Sequence, residues 1–430
     1  MLRPQLLDQC CHGGSSQPLL ADQDHGWAAR GCQSEDLRKI LAEAFRGFRE
    51  ELSCILSTMK LLAVIAFLTG GIAFGAERAR DLGVPFAGQP GQWNAITDVK
   101  GVEVGYRTLN SGEGGGAVRT GVTAVWPRGK NSMAPAFGAW FSLNGNGEMT
   151  GTTWLEEGGL LSGPVLLTNT HSVGTVRDSF IEWQVKRSRP GEEAQEWLLP
   201  LVAETWDGFL NDVNGFHVTA ADTVAALENA KSGPVAEGNV GGGTGMVCYG
   251  FKGGTGTSSR KAGAYMVGVL VQCNCGRRAQ LQIVGVPVGR EIQDGVPYAR
   301  NGAFADKDVG SIIIVVATDG PLLPNQLKRL ARRASLGLAR TGSVSGNGSG
   351  DIFVAFSTAN SNAGITSGTT SISMLANDDM NGLFEATVQA TEEAIVNAMV
   401  GAETMTGYNG HKVIALPHDR LREVLRKYQR

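Results

Sequence analysis

The stretch that decides the fold is residues 306–311 (DKDVGS), followed at once by residues 312–318 (IIIVVAT). A long polar loop ends here, and an unbroken β-branched run begins. Such a run is typical of a strand that is buried on both faces. The strand begins with Ser311 directly behind Gly310, and this junction has two interpretations. It is either a turn glycine that leads into a core strand, or a peptide bond that cleaves itself and so makes Ser311 a new N-terminus and a nucleophile.

The sequence offers few other bases for a nucleophilic serine. No G-x-S-x-G or H-E-x-x-H motif occurs, and the part after residue 75 has four histidines without paired metal spacing: His171, His217, His411 and His418. The α-amino group of a chain terminus has an ordinary pKa of about 8, much closer to neutrality than that of a lysine. Gly310 can also adopt the unusual backbone geometry that brings the Ser311 hydroxyl against the Gly310 carbonyl. A hidden Ser-His-Asp triad remains an alternative.

Net charge argues against nucleic-acid binding, and the glycine pattern argues against nucleotide binding. The net charge is −3 and the isoelectric point is about 6.1, so no basic field favours nucleic acid as a partner. Glycine makes up 60 of 430 residues, about twice the usual share, which indicates a sheet-rich fold with many tight turns. Two glycine clusters, 238–245 (GNVGGGTG) and 253–258 (GGTGTS), lack the partner residues of phosphate-binding loops. We therefore interpret them as tight turns beside a site.

The N-terminal segment resembles a leader. Residues 1–58 are polar and rich in cysteine, whereas Met59-Lys60 opens an apolar stretch (residues 61–68) that ends in small residues near Gly75. This order is typical of a secretory signal peptide, and the stretch is short for a membrane span. We predict that 1–58 is an over-extended start, that 59–75 is a signal peptide, and that the mature protein is periplasmic or secreted. A membrane anchor behind a cytoplasmic segment is the alternative.

The rest of the chain predicts one layered α+β domain. Cys248, Cys273 and Cys275 have neither disulfide-framework nor zinc spacing and are predicted to be buried free thiols. No internal repeat or Pro-rich linker divides this part. We predict strand-turn-strand over 94–106, strands over 121–126, 136–141, 166–171, 264–271 and 351–356, and helices over 220–230, from Pro324, and over about 378–400.

Three polar residues could assist a nucleophile at 311. Ser349 and Asp351 are two apart at a strand start, so in extended conformation both point to one face, and the carboxylate could orient a hydroxyl that relays protons. A loop-capping serine and a turn aspartate would explain the same pair. Asn274 lies at the polar end of a strand, where a neutral oxyanion donor could stand.

Four segments resemble the D-aminopeptidase/β-peptidyl aminopeptidase family: 310–319 (GSIIIVVATD), 341–351 (TGSVSGNGSGD), 237–246 (EGNVGGGTGM) and 210–217 (LNDVNGFH). The resemblance runs from about Arg80 to Thr406. It implies a four-layer α-β-β-α sandwich, shared with ornithine acetyltransferases, in which a precursor cuts itself into an α chain (76–310) and a β chain (311–430) that form one domain. It also implies homo-oligomers, commonly tetramers of the cleaved unit, with no cofactor and no metal.

The resemblance also implies roles for individual residues. Ser311 matches the nucleophile and new terminus, with Gly310-Ser311 as the cleavage site. Ser349 and Asp351 match the serine-acid pair that assists it, and Asn274 matches the oxyanion asparagine. Glu204 matches the acid that receives the substrate's ammonium. Trp206 stands where the family has an oxyanion tyrosine, and its indole N–H can donate a hydrogen bond but cannot accept or relay a proton.

These assignments predict a self-processing serine aminopeptidase. Its substrates would be short peptides, amino-acid amides or esters with a free N-terminus, of L-, D- or β-residues. One alternative is an ornithine-type acyltransferase, which uses an N-terminal threonine, so Ser311 and the signal peptide count against it. The other is a non-catalytic homologue that binds amino compounds, which Trp206 keeps open.

Overall fold

Two β-sheets packed face to face organise the chain. The computed structural model describes residues 77–188, 197–297 and 310–430. The predicted leader, residues 1–75, lies outside the described residues. No helix in the described ranges combines the length and the hydropathy needed to cross a bilayer.

The strands are β1 (Glu103–Ser111), β2 (Val118–Trp126), β3 (Ala136–Gly145), β4 (Leu160–Leu161), β5 (Val165–Asn169), β6 (Leu201–Thr205), β7 (Val247–Cys248), β8 (Phe251–Lys252), β9 (Gly254–Ala262), β10 (Tyr265–Asn274), β11 (Ser311–Thr318), β12 (Gly350–Ser357), β13 (Met405–Thr406) and β14 (Lys412–Val413). The helices are α1 (Thr152–Gly158), α2 (Val173–Arg187), α3 (Ala220–Glu228), α4 (Val288–Glu291), α5 (Pro324–Arg340), α6 (Asn381–Val400) and α7 (His418–Lys427).

One sheet has four strands in the order β1-β2-β5-β6, and the other has six in the order β4-β3-β12-β11-β10-β9. Most neighbours are antiparallel, but β5–β6 and β11–β12 are parallel pairs. Parallel neighbours need a crossover, and between β11 and β12 helix α5 supplies it. This crossover places the first residues of β11 and β12 side by side, at the edge where the candidate site lies.

Strand β11 confirms the prediction of a strand buried on both faces. All eight of its residues are buried. Side chains alternate across a strand: Ile313, Val315 and Ala317 pack in the core between the two sheets. The remaining aliphatic residues of β11 pack in the core under helices α5 and α6. A third core joins the outer face of the four-stranded sheet to helices α2 and α3. The layers therefore run helix, sheet, sheet, helix, and the predicted α-β-β-α sandwich is confirmed.

Two local predictions are wrong. The predicted first strand of 94–106 is instead a 3₁₀ turn at Ile96–Asp98. The reason is local, because the Asp98 carboxylate accepts hydrogen bonds from the N–H groups of Trp93 and Ala95 and holds the chain in a turn.

The cysteine prediction is the second error. Cys248 and Cys273 form a disulfide, whereas Cys275 is a buried cysteine outside it. Gly253 explains this proximity, since a β-carbon there would overlap the Cys273 carbonyl and lie 2.9 Å from the β-carbon of Cys248. The missing side chain lets the β7–β8 hairpin close onto the end of β10.

Candidate active site

Ser311 lies at the start of β11, paired with Asn274 of β10 on one side and next to the start of β12 on the other. Its side chain is nearly covered, with the residue 6% exposed. The Ser311 Oγ accepts a hydrogen bond from the backbone N–H of Gly350 at 3.0 Å. This bond fixes the direction of one oxygen lone pair, so the hydroxyl is held in place before any substrate binds.

Gly310 is enclosed by backbone. A β-carbon at this position would overlap the carbonyl oxygen of Asn274 and lie 2.8 Å from the α-carbon of Cys275. Backbone atoms cannot rotate away as a side chain can. Crowding is therefore a reason for glycine before Ser311 that the sequence does not reveal.

Gly310→Ala is expected to slow the predicted self-cleavage strongly, because the methyl group would push residue 310 away from Asn274. Overpacking of this kind costs about 1–3 kcal/mol of stability. A time course of precursor loss on a denaturing gel measures the effect. Gly174→Ala, in helix α2 with open space around the position, is the control. Processing of Gly310→Ala at the wild-type rate would refute the crowding argument.

Ser349 and Asp351 flank Gly350 at the start of β12. The Ser349 Oγ donates to Asp351 Oδ1 at 2.6 Å, and both residues are buried. The two side chains share a face, as the two-residue spacing predicts. Gly350 contacts Ser311, and Ser349 and Asp351 are the residues directly before and after Gly350. The serine-carboxylate pair therefore lies close to the candidate nucleophile.

The Asn274 amide is held at both ends. Its Oδ1 accepts from the N–H of Val247 at 2.7 Å, and its Nδ2 donates to the carbonyl oxygen of Trp206 at 2.9 Å. A donor on one side and an acceptor on the other determine which atom is oxygen and which is nitrogen. The NH₂ group has two donors, and Trp206 engages one of them.

Glu204 is the penultimate residue of β6 and carries a buried carboxylate, with the residue 4% exposed. Oε1 accepts from the N–H of Glu148 at 3.0 Å, and Oε2 accepts from the hydroxyl of Thr170. Burial raises the pKa of Glu204, and these two hydrogen bonds offset only part of that effect. None of the described ion pairs includes Glu204. A buried carboxylate with neutral hydrogen-bond partners is suited to receive a cation.

Two glycines join Glu204 to Ser311. A β-carbon on Gly147 would lie 3.3 Å from Glu204 Oε1 and 3.2 Å from the α-carbon of Gly350, and Gly350 is the residue whose N–H contacts Ser311. Only two residues without side chains, Gly147 and Gly350, therefore lie between the Glu204 carboxylate and the Ser311 hydroxyl along this path. The place of Gly147 in the site depends on the pairing of β3 with β12, which brings the residues after β3 against the start of β12.

Trp206 reaches the site through its main chain, which accepts the hydrogen bond from Asn274. Its half-buried indole lies over Gly208, where a β-carbon would be 2.7 Å from the indole Nε1. The ring packs beside Phe209 and Leu210. The role of the indole N–H as an oxyanion donor stays a prediction.

Thr170 is a site residue that the sequence reasoning missed. The signal for it was the polar end of the predicted strand 166–171.

Close by the site, the sulfur atoms of Cys248, Cys273 and Cys275 lie within 4.8 Å of one another. Since two of them form the disulfide, this group does not offer a set of three thiolates to a metal.

Comparison with known sequences finds relatives that match nearly the whole region from Arg80 to Thr406 in which the family resemblance was recognised. The model of Peptidase family S58 matches residues 94–413. "Beta-peptidyl aminopeptidase BapA" of Sphingosinicella microcystinivorans is 54% identical over 393 residues, covering 86% of this chain and 98% of the relative. The protein of the same name from Sphingosinicella xenopeptidilytica is 48% identical over 385 residues, covering 85% and 95%.

Solved structures give the same result. One is the L-aminopeptidase D-Ala-esterase/amidase of Ochrobactrum anthropi, which is described as a prototype of the serine aminopeptidases and a variant of the Ntn hydrolase fold. It superimposes with a TM-score of 0.76 at 48% identity, and the match covers 82% of this chain and 99% of that protein. A β-aminopeptidase of Burkholderia sp. gives 0.73 at 45% identity, over 81% and 98%. The family resemblance read from residues 210–351 is thereby confirmed, and the chain belongs to peptidase family S58.

Proposed function

We propose that this chain is a self-processing serine aminopeptidase that cleaves the Gly310-Ser311 bond and uses Ser311 as its nucleophile. The observation that carries the proposal is the path from Glu204 through Gly147 and Gly350 to Ser311. A substrate whose terminal ammonium binds Glu204 would bring a carbonyl carbon near the Ser311 hydroxyl. Such an arrangement selects chains with a free N-terminus, which is the property of an aminopeptidase.

Self-cleavage would begin with attack of the Ser311 Oγ on the carbonyl carbon of Gly310. The C–N bond breaks as the C–O bond forms, so the amide becomes an ester and Ser311 gains a free amine. Water then hydrolyses the ester, leaving a carboxylate on Gly310. The Ser349–Asp351 pair would relay the protons of both steps.

Turnover would use the new α-amine of Ser311 as the base. The amine takes the proton of Oγ while Oγ attacks the substrate carbonyl, and it gives that proton to the departing amine or alcohol. Asn274 donates a hydrogen bond to the oxyanion of the tetrahedral intermediate. Water, activated by the same α-amine, then attacks the acyl-enzyme and releases the amino acid with the hydroxyl restored.

The substrate class is the finer part of the proposal. Two relatives are named β-peptidyl aminopeptidases, and one solved neighbour is named an L-aminopeptidase and D-Ala-esterase/amidase. We propose short peptides, amides and esters with a free α- or β-amine. Assays of L-alanine p-nitroanilide, D-alanine amide and a β-alanyl dipeptide, with and without added ornithine, test it. Transfer of the acyl group to ornithine instead of water would indicate an acyltransferase.

Export of the protein is also proposed, on the leader-like order of residues 59–75. The protein made from Met59 is expected to lose the residues up to about Gly75 on secretion. N-terminal sequencing of material recovered from the periplasm or the medium measures this. Mature protein that retains residues 1–58 would overturn both the start at Met59 and the signal peptide.

The family resemblance further supports a homo-oligomer, and we expect a tetramer of cleaved units.

A further inference from the structure

Lys252 has a buried side-chain amine without a described carboxylate partner. The residue is 0% exposed, and its Nζ donates to the carbonyl oxygens of Met246 at 3.0 Å and Gly253 at 2.8 Å. Burial lowers the pKa of Lys252 to about 7. Lysine is almost never fully buried without an ionic partner, and an apolar side chain would fill this place without the desolvation penalty. The ammonium therefore calls for an explanation beyond packing.

The Met246–Val247 peptide group links this ammonium to Asn274. Its carbonyl accepts the hydrogen bond from Lys252, and its N–H donates to Asn274 Oδ1 at 2.7 Å. The Asn274 Nδ2 donates onward to the Trp206 carbonyl. Hydrogen bonds in such a chain polarise one another. In its protonated form Lys252 places a positive charge on this carbonyl, which makes the Val247 N–H a stronger donor and in turn strengthens the N–H donors of Asn274.

Lys252 also fixes the position of this peptide. Val247 and Lys252 pair in the short β7–β8 hairpin. The Met246 carbonyl accepts from the Gly253 N–H at 2.9 Å in addition to the ammonium. The hairpin end that orients Asn274 is therefore closed by a side chain as well as by the backbone.

We propose that Lys252 is a positioning residue for Asn274: it holds and polarises the Met246–Val247 peptide, and so strengthens the oxyanion donor without touching the substrate. The inference rests on the proposed function, because it assumes that Asn274 faces the oxyanion. It adds a residue that acts only through a neighbouring peptide group.

Lys252→Met removes the ammonium and keeps most of the volume. We expect kcat for L-alanine p-nitroanilide to fall about 10-fold with KM changed less than about twofold, a smaller loss than the ~10²–10³ caused by deleting an oxyanion donor. Binding of 1-aminoethylboronic acid, whose serine adduct places an oxygen at the oxyanion position, should weaken by a similar factor. Inhibition by the product alanine should be unchanged. Lys252→Gln, which keeps a neutral NH₂ donor group but no charge, should lie between wild type and Lys252→Met.

Two further proteins separate positioning from folding. Phe251→Leu loosens the buried neighbour in the same hairpin while the ammonium stays, so its Tm should fall with kcat unchanged. In an Asn274→Ala background, Lys252→Met should cause no further loss of kcat, because the residue it acts through is gone.

The inference is overturned if kcat and boronate affinity are unchanged in Lys252→Met, or if the losses of kcat in the double variant are additive. It is also overturned if both lysine variants and Phe251→Leu all show a lower Tm, a lower kcat and a changed KM together. Asn274→Ala alone distinguishes this failure from that of the proposed function. A small effect of that variant removes Asn274 from the oxyanion role. A large effect beside an unaffected Lys252→Met overturns the inference only.

Discussion

The Ser311→Ala protein is expected to remain one chain and to lose hydrolysis by at least about 10⁴-fold, the scale of effect seen when a catalytic nucleophile is removed. One hydroxyl serves both the acyl shift and turnover. Without it the Gly310 carbonyl has no neighbouring nucleophile, and the α-amine that acts as base is never released. A denaturing gel and an assay with L-alanine p-nitroanilide measure the two losses together.

Two variants sharpen this result. Ser311→Cys should still cleave, because a thiol can make the same acyl shift, yet hydrolyse substrate poorly. Ser335→Ala, which changes a half-buried serine on helix α5, should cleave and hydrolyse like the wild type. A Ser311→Ala protein that is cut at the same bond would show that another protease is responsible.

Glu204→Gln is expected to lower kcat/KM for free-amine substrates by about 10- to 150-fold, the equivalent of the ~1.5–3 kcal/mol that a charge-assisted hydrogen bond contributes. The neutral amide keeps the size of the side chain but no longer attracts an ammonium. N-acetylated analogues carry no ammonium, so their slow hydrolysis should change little. Equal losses on both substrates would remove Glu204 from this role. Glu157→Gln, an exposed residue on helix α1, is the matched control.

The pH profile provides a second test of Glu204. Burial raises the pKa of this carboxyl, and only its ionised form binds an ammonium strongly. As pH falls through the raised pKa the carboxyl is protonated, so KM for free-amine substrates should rise at a higher pH than an ordinary glutamate would predict. Glu204→Gln should lack this acidic limb.

The sequence predicted well those parts of the fold that depend on short-range pattern. The β-branched run after Ser311 indicates a strand buried on both faces wherever it is placed, and β11 has that environment. Helix α2 was missed although Val176, Phe180 and Trp183 recur at helical spacing and all three are buried. The 3₁₀ turn at Ile96 was missed because one carboxylate, that of Asp98, outweighs the alternating pattern around it.

The site was predictable only in part, for a physical reason. Ser349 and Asp351 are neighbours in sequence, so their contact follows from strand geometry. The approach of Gly147 to Gly350 depends on the register between β3 and β12, which no local pattern contains. The burial of Lys252 depends in the same way on how the six-residue β7–β8 hairpin (residues 247–252) folds back. Glu204 was identified through the family resemblance, since an acidic residue in a short apolar run has no distinguishing signal of its own.

The most direct test of the central claim is the N-terminal sequence and mass of each fragment in purified wild-type protein. Two fragments are expected, the smaller beginning at Ser311, and cleavage of pure precursor should proceed at a rate independent of its concentration, as an intramolecular attack requires. A fully active single chain, or a smaller fragment that begins at another residue, would contradict Ser311 as nucleophile and new terminus.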